Sequence, residues 1–126
     1  MNEQDLYAAI GEDGFTRLIA AFYRRIPQDD ILGPMYEHHD LTGAEQRLRD
    51  FLLFRFGGVP RYLEERGHPR LRMRHARFPI GQAARDRWIE LMDAALAETG
   101  LPAEAHQTLR SFFDSTATFL MNRAGD

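Results

Sequence analysis

A chain of 126 residues with 44% hydrophobic content, nine Phe, four Tyr and one Trp suits one globular domain with an aromatic core, burying roughly two thirds of its unfolded surface. The formal charge of −3 argues against bulk attraction to nucleic acid, and the basic residues are all Arg, so lysine Schiff-base and general-base chemistry is excluded. With no cysteine, disulfides, thiolate-bound zinc, iron–sulfur clusters and thiolate haem are excluded as well.

The polar start Met1-Asn2-Glu3-Gln4-Asp5 lacks an apolar signal core. No run approaches the length of a membrane span. The expectation is a cytoplasmic protein with a single domain over residues 1–126. A short helix is expected around Leu6 to Ile10. Phe15, Leu18, Ile19, Phe22, Tyr23 and Ile26 then recur at helical spacing along one face, and Pro27 with Asp29-Asp30 closes that helix. Thr42-Gly43-Ala44-Glu45 reads as a capping box, hydroxyl and carboxylate answering the amides of a helix start. The helix behind it aligns Ala44, Leu48, Phe51, Leu52 and Arg55, and ends at Gly57-Gly58.

The stretch from Gly57 to Ile80 has weak periodicity, and loops of that length in small helical domains are usually functional or disordered. This one carries Tyr62, His68, Met73, His75 and Phe78, too aromatic for disorder, so it is expected to be ordered against something such as a cofactor. A third long helix follows with Ala84, Trp88, Leu91, Met92 and Ala95, stopped by Gly100. Pro102, suited to a first helical turn, opens a fourth with Leu109, Phe112, Phe113, Thr116 and Leu120. Only Leu71 to Arg74 alternates with period two, too briefly for a sheet. The fold class is all-α.

Five histidines are candidate ligands. His38-His39-Asp40 has metal-site residue types, but adjacent loop side chains diverge, and a solvated loop is the better reading. His106 lies near a helix start, and His68 sits in a Gly-Pro turn. His75 stands among Leu71, Met73 and Phe78, presented from a short turn, where a neutral imidazole is a candidate axial ligand for haem iron. A core histidine is the competing reading. Arginines 66, 70, 72, 74 and 77 read as a solvated face, or as partners for the carboxylates of a buried ligand. Tyr23 and Trp88 lie on apolar helix faces, yet a buried phenol or indole N–H needs a partner, which favours a polar interior pocket.

Phe22-Tyr23, Pro34-Met35-Tyr36, Leu41-Thr42-Gly43-Ala44-Glu45, Gly57-Gly58, Tyr62, the unbroken Gly67-His68-Pro69-Arg70-Leu71-Arg72-Met73-Arg74-His75-Ala76 and Arg85-Asp86-Arg87-Trp88 stand in one order along the chain. In that order they resemble the truncated haemoglobins of group II, the O-type, over essentially the whole length. Arg77 departs from the pattern, where Pro is usual, as does Phe56, where Trp is common. The resemblance implies a two-over-two helical sandwich around a b-type haem with His75 as its iron ligand. It implies a ligand pocket formed by Tyr23, Tyr36, Ala44, Leu48 and Trp88, with the haem also held by Arg47, Leu52, Tyr62, Arg72, Arg74, Phe78 and Met92. The implied function is binding of oxygen and other diatomic gases, in storage or transport, by a monomer or homodimer. Nitric oxide dioxygenase or peroxidase activity, fed by an external reductase, is the alternative. A haem-free helical module binding an apolar ligand or a protein partner is the alternative of another class.

Overall fold

The computed structural model describes residues 1–37 and 39–124. Among them are seven helices and no strand: α1 (Glu3–Arg24), α2 (Leu32–Tyr36), α3 (Leu41–Gly57), α4 (Arg61–Arg66), α5 (Leu71–Arg74), α6 (Gln82–Thr99) and α7 (Ala103–Phe119). The all-helical expectation holds, and each long periodic segment is a helix where the apolar spacing predicts one.

The short helix expected before Phe15 is the first part of α1. Gly11, at φ 64 and ψ 179, is not helical, so that short helix and the longer one behind it meet at a kink. A residue without Cβ adopts that conformation at little cost. Beyond the kink, Phe15, Leu18, Ile19 and Phe22 are fully buried, which is why this face of α1 forms the centre of the molecule.

The start of α3 differs from the capping box the sequence suggests. Asp40 is the N-cap, its carboxylate accepting from Gly43 N–H at 3.0 Å, and Thr42 is already inside the helix. An ionised carboxylate answers both the orphan amide and the positive end of the helix dipole, and so displaces the Thr hydroxyl from that role. The helix stops at Gly58, at φ 69, in the left-handed conformation of a C-cap glycine.

The segment expected as a 24-residue loop contains α4 and α5. Helices of six and four residues are too short to display a 3.6-residue period in sequence. α1 packs on α3 and on α6, and α6 packs on α7. The resulting arrangement is one helix pair laid over another. Trp88 of α6 is wedged between Phe22 of α1, 4.8 Å between ring centroids, and Phe113 of α7, 5.5 Å away. Among the described residues no helix is long and apolar enough to cross a membrane.

Candidate functional site

Behind that seam lies a cavity of about 400 Å³ to which all seven helices or their flanking loops contribute. Cavities of this size, mostly apolar with a few placed polar groups, are what small-molecule and cofactor sites look like.

The segment carrying His75 is built around Arg74. Arg70, which precedes α5, adopts φ 43 and ψ 52, a left-handed conformation that costs a side-chain-bearing residue about 1 kcal/mol or more. Arg74 holds the turn in place: its Nε donates to Pro69 O at 2.6 Å, and its Nη2 donates to Arg66 O at 2.6 Å and His68 O at 3.1 Å. His75 then ends α5, half-buried, with its ring on the cavity wall and Nδ1 2.8 Å from Leu71 O. A carbonyl only accepts, so Nδ1 carries a proton, and in the neutral ring the lone pair is on Nε2. On the far side of the loop, Asn122 accepts from Ile80 N–H at 2.9 Å and donates to Phe78 O at 2.9 Å and His75 O at 3.4 Å.

Tyr23, Tyr36, Ala44, Leu48 and Trp88 line the same cavity. The Tyr23 and Tyr36 rings meet edge to face, 6.2 Å apart. Burial pushes the Tyr23 phenol well above its ordinary value, and the neighbouring Tyr36 raises it further. Burial also raises Tyr36, but hydrogen bonding from Tyr23 and the positive charge of Arg47 pull against that rise. Both phenols therefore keep their hydrogens at neutral pH. Among the described residues the Trp88 indole N–H has no protein partner, and no buried side-chain polar atom is left unsatisfied, so that N–H faces open space.

Tyr36 is placed from outside the cavity. Asp29 caps α2, its Oδ2 accepting from Ile31 N–H at 3.0 Å and Leu32 N–H at 2.8 Å, while its Oδ1 accepts from Arg87 at 2.6 Å. Burial alone would raise the Asp29 carboxyl, but these donors outweigh it and hold the group below its ordinary 3.8. Arg87, also 2.6 Å from Asp30, thereby ties the helix carrying Tyr36 to the one carrying Trp88.

Of the further residues the family resemblance assigns to a cofactor, Arg47, Leu52, Tyr62, Arg74 and Phe78 line the cavity. Two do not. Arg72 is turned away: its guanidinium donates to Met121 O at 3.3 Å and lies over the Phe119 ring. Met92 is fully buried in the helical core, on the face of α6 that meets its neighbours. The loop histidine His39 also reaches the cavity, its ring 4.8 Å from Phe78, whereas His38 lies outside the described residues. Asn122 was not singled out by the sequence, and Asp29 was read only as closing the first helix. An isolated Asn near residue 122 and an Asp two positions after a Pro carry no local signal of a loop clamp or a helix tie.

The residues fit a haem. Among the described residues there is no group of three His, Asp or Glu able to hold a metal ion. A metal at His75 would need its other ligands from a non-protein ring, as porphyrin supplies them. The surroundings are apolar and aromatic with arginines at the edge, which suits a flat hydrophobic ring bearing carboxylates.

A family model described as bacterial-like globin matches residues 5–122. The Group 2 truncated hemoglobin YjbI of Bacillus subtilis is 37% identical over 117 residues, covering 93% of this chain and 88% of its own. A solved structure of a thermostable hemoglobin from Thermobifida fusca superposes with a TM-score of 0.88 at 46% identity, over 93% of this chain and 96% of that one. A truncated oxygen-avid haemoglobin from Bacillus subtilis gives 0.87 at 37% identity, over 93% and 98%.

Proposed function

This chain belongs to the bacterial-like globin family, which implies a haem cofactor and a role in binding diatomic gases; from that premise we propose that it is a one-domain, cytoplasmic protein that holds haem b through His75 and retains oxygen tightly. The observation that carries the reading is the imidazole itself. Its Nδ1 is engaged by Leu71 O at 2.8 Å, which leaves Nε2 of the neutral ring as the nitrogen that would ligate a metal at the wall of the cavity.

The haem, when bound, supplies an iron centre that takes a small diatomic molecule reversibly. The chain does the rest. Leu71 O fixes the His75 tautomer and strengthens the imidazole as a donor of electrons. Tyr36 and Trp88 both line the cavity, and their hydroxyl and indole hydrogens are available to a ligand there. With haem present, these donors would favour a diatomic ligand that gains negative charge on binding. Ala44 leaves room where a larger side chain would intrude, so the phenols and the indole do the hydrogen bonding. At about 1–2 kcal/mol for each bond, two such donors slow release on the order of a hundred-fold. That suits retention better than delivery, and the oxygen avidity stated for the Bacillus subtilis relative supports it. Arg47, Arg74 and Arg77 surround the cavity and are suited to the haem carboxylates; Arg74, with Nε and Nη2 already engaged, has only Nη1 to offer.

The test is the absorbance of the protein purified with hemin supplied. A Soret band that shifts when the reduced protein is given CO or O₂ is the expected outcome; a colourless protein overturns the assignment in favour of a haem-free module.

A further inference from the structure

The arginines of this chain divide into two populations. Every arginine before residue 66 except Arg47, and every one from Arg85 to Arg110, lies within ion-pair distance of a carboxylate. Among the described residues Arg66, Arg70, Arg72, Arg74, Arg77 and Arg123 do not. Residues 66–80 contain five arginines and neither Asp nor Glu, in a chain whose total is −3. Arg123 joins them in space, its backbone N–H donating to Ile80 O at 3.2 Å. Two large apolar side chains in or against this segment are exposed: Met73 at 61%, and Phe119 at 58% beneath the Arg72 guanidinium. Arg66 and Arg77 belong both to this surface and to the cavity wall, so the positive face reaches the cavity's rim, where Arg77 would be shared with a haem carboxylate while Arg66, Arg70, Arg72 and Arg123 stay without one.

Unpaired surface charge of one sign around exposed Met and aromatic groups is the composition of a steered interface. The geometry points to a docking face for a small acidic electron-transfer protein, one whose flavin or iron–sulfur centre lies within a ring of carboxylates. The inference rests on the haem reading above, because it is the cavity's contents that such a partner approaches. An acidic protein is favoured over a polyanion of larger extent because the rest of this chain is acidic. A duplex or an anionic membrane would meet that repulsion beyond the patch, whereas a compact partner meets the patch alone.

The experiment measures binding of the hemin-loaded protein to an acidic flavodoxin and to a plant-type ferredoxin by titration calorimetry, alongside a short DNA duplex and phosphatidylserine-containing vesicles. The expected result is measurable binding to at least one of the two redox proteins at low salt. That binding weakens about tenfold or more as salt rises from about 30 to about 300 mM. Arg70→Glu with Arg123→Glu, two positions off the cavity wall, weakens it by a similar factor with the Soret band unchanged. Arg17→Glu with Arg55→Glu changes the net charge equally but elsewhere, and shifts affinity less than about twofold. The proposal is overturned if neither redox protein binds at low salt, if the two double variants weaken binding alike, or if the duplex or the vesicles bind more tightly. A protein that takes up no haem overturns the functional reading instead, a failure the absorbance spectrum reports separately.

Discussion

The imidazole of His75 is oriented before any ligand arrives, because Leu71 O engages Nδ1 and leaves Nε2 for a metal. His75→Gly should therefore abolish the Soret band, and added imidazole should restore it; retention of a normal spectrum without imidazole would place the iron elsewhere. On the ligand side, Trp88→Phe and Tyr36→Phe each remove one hydrogen-bond donor while keeping an aromatic ring. Each should speed oxygen release about 5- to 30-fold, the equivalent of about 1–2 kcal/mol. Stopped-flow displacement of oxygen by CO measures this, and unchanged rates in both variants would show that these donors do not touch the ligand. Tyr23→Phe should act less strongly, because Tyr23 positions the Tyr36 ring that it meets edge to face, a contact the Phe ring preserves.

Between single residues and the whole fold stand the elements that carry them. The loop holding His75 has little regular structure, so its shape depends on Arg74 from within and Asn122 from the end of the chain. Asn122→Ala leaves the Ile80 N–H and Phe78 O without those partners. At about 1–3 kcal/mol for a lost buried bond, haem transfer to an acceptor globin should quicken on the order of tenfold, with helix content by circular dichroism unchanged. In α1 the cost lies in backbone conformation alone. Gly11 sits at φ 64 with nothing within 4 Å of where a Cβ would stand. Gly11→Ala should therefore destabilise by about 1 kcal/mol from the strained conformation, read as a lower urea midpoint at unchanged m-value. No loss would mean that the kink relaxes away.

For the molecule as a whole, stability in acid depends on carboxylates held by arginines. Asp29, Glu98 and Asp114 all lie below their ordinary values: for Asp29 its donors overcome the opposing effect of burial, for Glu98 the first cause is Arg24, and for Asp114 it is Arg85. A depressed folded-state value means the unfolded chain takes up these protons first. Their contribution is fully present above the ordinary values of 3.8 and 4.5 and is lost as pH falls through the folded-state values. The melting temperature should stay level from about pH 8 to about pH 5 and decline below about pH 4.5. Glu98 and Asp114 are 41% and 45% exposed and so well screened, which leaves Asp29, 8% exposed, as the larger contributor. Asp29→Asn should flatten the acid limb; an unaltered limb would assign it to other groups.

The four long helices and their buried faces were legible in the chain because a 3.6-residue apolar period persists through α1, α3, α6 and α7, and because Gly58 and Gly100 mark real helix ends. The ring of Tyr23, Tyr36, Trp88 and His75 was legible through family likeness, since these four come from four separate segments and share no local spacing. The cap on α3, the short α4 and α5, the outward turn of Arg72 and the clamp by Asn122 were not. Each depends on which group wins a contest for a particular carbonyl, amide or carboxylate. Arg72 reaches Met121 O across 49 positions, and Asn122 reaches Phe78 O across 44. Periodicity reports which face of a segment avoids water, a property the segment carries with it. Partnership between polar groups far apart in the chain exists only once the helices have packed and set the distances.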